Sequence, residues 1–156
     1  MELGQLLIMT NPLLEAMGNA ETILNRNSSR FGKFNQIHVG REGAILGASI
    51  QTYLLESTRV VAQATNECNY HLFYQLVTSL PDGERRALKV DSDANKYNYL
   101  CSASGKATPR RGLDGAAFKE VRGVLGALKV DGSMMTALFQ ALRHLHTCMM
   151  TPSKLT

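Results

Sequence analysis

The sequence predicts a mixed fold, α+β or α/β in type, in which helices are disposed around a single β-hairpin. Three observations carry that expectation. Apolar residues recur at helical spacing near both ends of the chain, two alternating runs flank a glycine-bounded turn at 40–43, and an aromatic stripe runs from Tyr70 through Tyr74. With 156 residues, 44% hydrophobic and 19% charged, the chain is long enough to bury one core.

Taken in order, Leu3, Leu6, Leu7 and Met9 open a helical pattern that Asn11-Pro12 restarts. Asn is a favoured N-cap and Pro a favoured first helical residue, so a short capped helix is expected over 11–18, stopped by Gly18. Leu13, Leu14 and Met17 share a face of it, the expected core side. After a polar run, Phe34, Ile37 and Val39 alternate as a strand, and residues 40–43 form the turn. A second strand is expected over 44–55, through Ile45, Leu46, Ile50 and Tyr53. Two strands alone are marginal in water, so further strands are expected from outside this chain.

The stripe Tyr70, Phe73, Tyr74, Leu76 and Val77 reads as a helix facing the core rather than as a stacking platform. Leu80-Pro81-Asp82-Gly83 breaks it, and a short helix is expected over 84–89. Residues 101–114 show no periodicity and read as an exposed loop. A helix over 115–128 carries Phe118, Val121, Val124, Leu125 and Leu128 on one side. Its Gly123 and Gly126 each weaken it by about 1 kcal/mol relative to Ala. Asp131-Gly132-Ser133 offers caps for a last helix through Leu138, Phe139, Leu142 and Leu145.

Charge and cysteine usage narrow the function classes. The net charge of +4 is mildly basic, enough to assist contact with an acidic polymer. Lys106, Arg110 and Arg111 lack interleaved aromatics or a recognition motif, so a solvated loop is expected there and no nucleic-acid partner. Cys68, Cys101 and Cys148 lie far apart without a Cys-x-x-Cys pair, which favours reduced structural thiols. His144 and Cys148 have the spacing of a metal pair but no further ligands nearby, so a structural histidine is expected. No apolar run approaches the roughly 20 residues of a membrane span, and the start lacks a signal-peptide layout. A soluble intracellular protein without membrane insertion is expected.

The densest chemistry lies in Asn25-Arg26-Asn27-Ser28-Ser29-Arg30-Phe31-Gly32-Lys33-Phe34, held between the first helices and the first strand. Amides and hydroxyls can bond phosphate oxygens, a serine hydroxyl can ligate Mg2+, and an arginine offers a fork to a carboxylate or phosphate. The same composition also suits a solvated turn, since these residues compete for backbone hydrogen bonds.

Asn-Pro-Leu-Leu-Glu-Ala-Met-Gly-Asn-Ala at 11–20, followed by Asn-x-Asn-Ser-Ser-Arg-Phe-Gly-Lys at 25–33, closely resembles the myosin motor domain around its switch I loop. Gln51-Thr52-Tyr53-Leu54-Leu55-Glu56, residues 57–60, Tyr70-His71-Leu72-Phe73-Tyr74-Gln75-Leu76 and Tyr97-x-Tyr99-Leu100 follow in the same order. The resemblance is strong over 7–76, looser to about 142, and lost where a His-Leu-Gly-Asn element would stand but His144-Leu145-His146-Thr147 is found. It implies a partial motor domain over 1–142, an internal piece of a larger protein, with a divergent tail at 143–156. It also implies that the hairpin belongs to the central twisted sheet, or transducer, of a P-loop NTPase motor.

The activity so implied is an actin-activated Mg-ATPase that uses ATP and Mg2+ to move on actin filaments, cytoplasmic and cytoskeleton-associated. By the same resemblance, Asn25 and Asn27 belong to the nucleotide-binding set, with the Asn25 amide contacting the phosphates. Ser28 positions the γ-phosphate and water, Ser29 is the Mg2+ ligand, and Arg30 pairs with a glutamate of switch II to close the site. Gly32 and Lys33 shape and anchor the loop, and Arg26 has no assigned role. No Gly-x-x-x-x-Gly-Lys-[Ser/Thr] string and no Asp-x-x-Gly switch element occurs between Met1 and Thr156, so this chain alone is expected to be inactive. A non-catalytic product acting as a binding module is the alternative, and a P-loop upstream in the reading frame would separate the two.

Overall fold

The structure, a computed structural model, describes residues 3–101, 107 and 114–147. Helices α1 (Leu3–Met9) and α2 (Asn11–Gly18) lead into a short strand pair, β1 (Asn19–Ala20) and β2 (Ser28–Ser29). The hairpin β3 (Gly32–Val39) and β4 (Ile45–Tyr53) follows, then a 3-10 turn at Ser57–Val60. Helices α3 (His71–Ser79) and α4 (Asp82–Leu88), two further 3-10 turns at Ala94–Lys96 and Asn98–Leu100, and helices α5 (Asp114–Ala127) and α6 (Gly132–Thr147) complete the order.

Pro12 sits in the first turn of α2 as expected, but Asn11 does not cap it. Thr10 holds the capping position in helical conformation, and its hydroxyl turns back to the Leu7 carbonyl at 2.7 Å. With one residue between α1 and α2, the chain has no room for the extended backbone that an N-cap adopts. Asn11 instead accepts a hydrogen bond from Lys33 Nζ at 2.7 Å, tying β3 to the helix. The buried side of α2 also differs from expectation: Ala16 and Gly18 face inward, whereas Met17 is 37% exposed. Leu13 and Ala16, three apart, meet Leu72, Val121 and Leu125, so contact with α3 and α5 selects that face.

The hairpin forms with the expected turn. Its register runs from Gly32 opposite Tyr53 to Val39 opposite Ile45, with a bulge between His38 and Val39. Gly43 takes φ +80° in the turn, a conformation that glycine enters without steric cost. At the other end Leu54, with φ 55°, turns the chain out of β4.

Helix α3 is the centre of the molecule, for every residue from His71 to Val77 is buried. Tyr70, Phe73, Tyr74, Leu76 and Val77 pack with Leu88, Leu100, Phe118 and Phe139, confirming the aromatic stripe as core. The Phe118 and Phe139 rings, on α5 and α6, lie 5.6 Å apart. The helices therefore gather around α3 and not around the hairpin, which stands to one side against α1 with β3 exposed along its whole length. On α5, Phe118, Val121, Val124 and Leu125 are buried as expected, but Leu128 lies beyond the helix end and is 38% exposed.

Asp131 caps α6, its Oδ1 accepting from the Met134 amide at 2.8 Å. Helix α4 begins at Asp82, two residues before the expected start, directly after Pro81, whose φ −57° and ψ 145° make it the non-helical residue at the boundary. Cys101 and Ala107 form an isolated bridge. Lys106, Arg110, Arg111 and Cys148 lie outside the described residues, as does the side chain of His144. Among the described residues no helix is long and apolar enough to cross a membrane.

The hairpin leaves Phe34, Ile37, Val39, Ile45 and Leu46 exposed along two open strand edges, a combination that favours association. The isolated chain is expected to self-associate in size-exclusion chromatography, and Ile37→Lys with Leu46→Lys to shift it toward monomer. A sharp monomer peak with strongly protected strand amides in the unsubstituted chain would contradict this.

Candidate functional site

The polar run is tied down at both ends. Asn19 pairs with Ser29 and Ala20 with Ser28, and the Arg30 amide donates to the Gly18 carbonyl at 2.8 Å. Gly18 is required here, since a Cβ on it would lie 2.4 Å from the Phe31 ring. Gly32 has no such requirement, its nearest neighbour being the Tyr53 carbonyl at 3.8 Å. The outer turn closes on itself through the Thr22 amide, which donates to the Asn25 carbonyl at 2.8 Å, and through the Asn25 amide, which donates to Thr22 Oγ1 at 3.1 Å.

Each side chain of the run then has some hydrogen-bonding capacity used by the protein and some left over. Asn25 Oδ1 accepts from the Asn27 amide at 2.8 Å, leaving its Nδ2 donors without a partner among the described residues. Ser28 Oγ accepts from Arg30 Nη1 at 3.1 Å, which leaves its own proton to donate. Ser29 is the reverse: its hydroxyl donates to the Phe31 carbonyl at 2.7 Å, so its lone pairs are left for a cation. Asn27 is different again. Its Oδ1 meets Asn19 Nδ2 at 3.1 Å and His71 Nε2 at 2.9 Å, while its Nδ2 donates to Glu15 at 3.0 Å. Both ends of this amide are engaged by α2, β1 and α3, so Asn27 anchors the loop in this structure.

Arg30 joins the loop to the end of the hairpin. Its Nε donates to Glu56 Oε2 at 2.6 Å, and the Glu56 amide donates to the Arg30 carbonyl at 3.0 Å. Behind Glu56 lies Arg59, buried and bonded to Glu56 Oε2 at 2.8 Å, Glu67 Oε2 at 2.9 Å and the Cys68 carbonyl at 3.1 Å. Burial works against the Glu56 charge, but the hydrogen bonds from Arg59 and Arg30 outweigh it and hold the carboxyl below its ordinary 4.5. Burial likewise opposes the Arg59 charge, and its bonds to Glu56 and Glu67 more than restore it. Tyr70 donates its hydroxyl to the Glu56 carbonyl at 2.6 Å, and burial followed by the nearby Glu56 charge raises its pKa.

The segment 25–30 thus gathers Asn25, Asn27, Ser28, Ser29 and Arg30, the residues singled out in the sequence, on one tethered loop. A cavity of about 850 Å³ between α1, α2, α3 and α5 reaches it at Arg26 and Asn27, with Glu15, His71 and Gln75 also in its wall. The supporting residues Glu15, Asn19, Glu56, Arg59, Glu67 and His71 carried no sequence signal as a group, because they lie up to 44 positions from the loop residues they hold. Among the described residues no group of three or more His, Cys, Asp or Glu side chains could hold a metal.

The family profile for the myosin head (motor domain) matches residues 1–151. The chain belongs to the myosin motor-domain family. It is 42% identical over 142 residues to unconventional myosin heavy chain 6 of Caenorhabditis elegans, covering 90% of this chain and 7% of that protein. To human unconventional myosin-Ib it is 44% identical over 129 residues, 82% of this chain and 11% of the relative. To myosin-1 of Saccharomyces cerevisiae it is 39% identical over 138 residues, 87% and 7% of the respective chains. The chain therefore spans only 7–11% of the length of these myosins. The mixture of helices with small antiparallel sheets described above is this portion of a myosin head.

The lowered Glu56 pKa makes the loop tether pH-dependent. A carboxyl whose folded pKa is depressed contributes stability above its unfolded value and loses it as pH falls through the folded value. In a complete motor carrying this sequence, exchange protection at the Arg30 and Glu56 amides, corrected for intrinsic rate, is expected to fall as pH drops below 4.5, and Glu56→Gln to remove that dependence. Gly18→Ala is expected to weaken the same protection by about 1–3 kcal/mol, since the Phe31 ring must move.

Proposed function

We propose that this chain supplies the switch I loop and adjoining transducer strands of a myosin motor, an actin-activated Mg-ATPase that converts ATP hydrolysis into movement on actin filaments. The observation that supports it most is the left-over hydrogen-bonding capacity along 25–30. Donors remain at Asn25 Nδ2 and Ser28 Oγ, and lone pairs at Ser29 Oγ, the complement of a metal-bound polyphosphate. Arg30 uses Nε and Nη1 within the chain, and its Nη2 has no partner among the described residues.

In this reading Ser29 ligates Mg2+, which when bound neutralises phosphate charge. Asn25 donates to phosphate oxygens, and Ser28 holds the terminal phosphate and the attacking water. Arg30 offers its remaining nitrogen to a glutamate of switch II. Asn27, with both ends of its amide engaged, belongs to the set as the residue that holds the loop in place. Lys33 anchors the start of β3 through Asn11, so a change at the loop passes directly to a strand. The remainder of the motor supplies the phosphate cradle, the second switch and the strands that cover the hairpin. The actin filament is the polymer partner, and the protein works in the cytoplasm with the actin cytoskeleton.

Two measurements test this. The isolated chain is expected to release no phosphate from ATP with Mg2+ and filamentous actin, and turnover abolished by Ser29→Ala would overturn that. In a complete motor carrying this sequence, Arg30→Ala is expected to leave ATP binding largely intact while slowing hydrolysis by at least about a hundredfold, because a contact made on closure acts on the chemical step. Exchanging the charges, Arg30→Glu with Arg in place of the switch II glutamate, is expected to restore part of the rate. Loss of ATP binding in Arg30→Ala with no rescue would make Arg30 a direct phosphate ligand instead.

A further inference from the structure

Four charged groups meet where the loop rejoins the hairpin. Arg30 and Arg59 both donate to Glu56 Oε2, at 2.6 and 2.8 Å, and Arg59 also reaches Glu56 Oε1 at 3.3 Å and Glu67 at 2.9 Å. Two cations balance two anions, which is what a partly buried cluster needs to repay its desolvation. The members differ in freedom. The Arg59 side chain is 5% exposed and also bonded to the Cys68 carbonyl, whereas the Arg30 side chain is 29% exposed. Glu56 is therefore held from behind, and Arg30 is held by Glu56.

That order of support has a chemical effect on Ser28. A guanidinium is planar, so fixing Nε leaves the plane little freedom and brings Nη1 to Ser28 Oγ at 3.1 Å. A serine oxygen that accepts there must direct its own proton elsewhere. Without Glu56, the guanidinium would be free to swing into solvent and Ser28 could turn its proton to the protein.

We propose that Glu56 is a positioning residue for hydrolysis, acting through Arg30 to keep Ser28 a hydrogen-bond donor toward the terminal phosphate and its water. The proposal rests on the switch reading above. Glu56 takes only Nε, so the support is compatible with a second carboxylate arriving at Nη2. The carboxylate is also well placed to act as a fixed point, since its own backbone is clamped by the Arg30 carbonyl on one side and the Tyr70 hydroxyl on the other.

The test is a double-mutant cycle in a complete motor carrying this sequence, read by quenched-flow phosphate burst and by ATP affinity. Glu56→Gln keeps the size and one acceptor while removing the charge, and is expected to slow the burst about tenfold with ATP affinity changed less than about twofold. In an Arg30→Ala background the same substitution is expected to change the burst by less than about twofold, because Glu56 acts through that arginine. Effects that multiply independently would overturn the proposal, since Glu56 would then matter only as a partner for Arg59, and so would an unchanged burst in Glu56→Gln. Should that variant not fold, Glu56→Asp, which keeps the charge but shortens the reach toward both arginines, carries the same cycle with the same expected sign. If Ser29→Ala and Arg30→Ala leave hydrolysis unaltered, the switch reading itself fails. If they slow it and the Glu56 variants do not, only the positioning role fails.

Discussion

A buried guanidinium must have its donors paired, and the pairing of Arg59 organises the region where the polar loop rejoins the chain after the hairpin. Arg59 is 4% exposed and draws in Glu56, Glu67 and the Cys68 carbonyl. Those contacts place the 3-10 turn at Ser57–Val60 over the entry to α3 and leave one face of the Glu56 carboxylate for Arg30. The loop, the end of β4 and the beginning of α3 are thereby fixed to one another by three side chains. Removing Arg59 would leave the largely buried Glu67 carboxylate without its cation and Glu56 with Arg30 alone, so the whole region is sensitive to this substitution.

Around that point the molecule divides into two parts with different physics. The helical part buries α3 from His71 to Val77 and packs α5 against both α2 and α3, so most of its apolar groups are covered within the chain. The hairpin is the opposite, with β3 exposed throughout and apolar side chains such as Phe34 and Leu46 left in water. A sheet of two strands with uncovered faces is marginal in water by itself. The polar loop of residues 25–30 lies at the junction of the two, tied to α2 through Glu15 and to the segment after β4 through Glu56.

The loop also illustrates how the same residue type takes different duties a few positions apart. Asn25 keeps its amide donors available, while Asn27 spends its carbonyl oxygen on Asn19 and His71 and one amide proton on Glu15. Ser28 accepts and Ser29 donates, so one hydroxyl is left with a proton to give and the other with lone pairs. Nothing in side-chain chemistry separates these pairs. Their neighbours across the fold do.

The sequence by itself determined not the β1–β2 pair or the 3-10 turns but the principal helices, the hairpin and its turn, the core role of the aromatic stripe, the membership of the myosin family and the inventory of the loop. These are carried by short-range periodicity, turn chemistry and an uninterrupted motif, all of which act within a few residues. Tertiary structure alone decided that Ala16 rather than Met17 faces inward, since α3 and α5 choose the buried side of a helix too short to have a dominant stripe. It alone decided that Arg30 meets Glu56, 26 positions away, and that Asn27 is engaged by groups on three elements. Such pairings depend on how the backbone returns across turns, and a hydrogen bond formed only after that return leaves no spacing in the sequence to read.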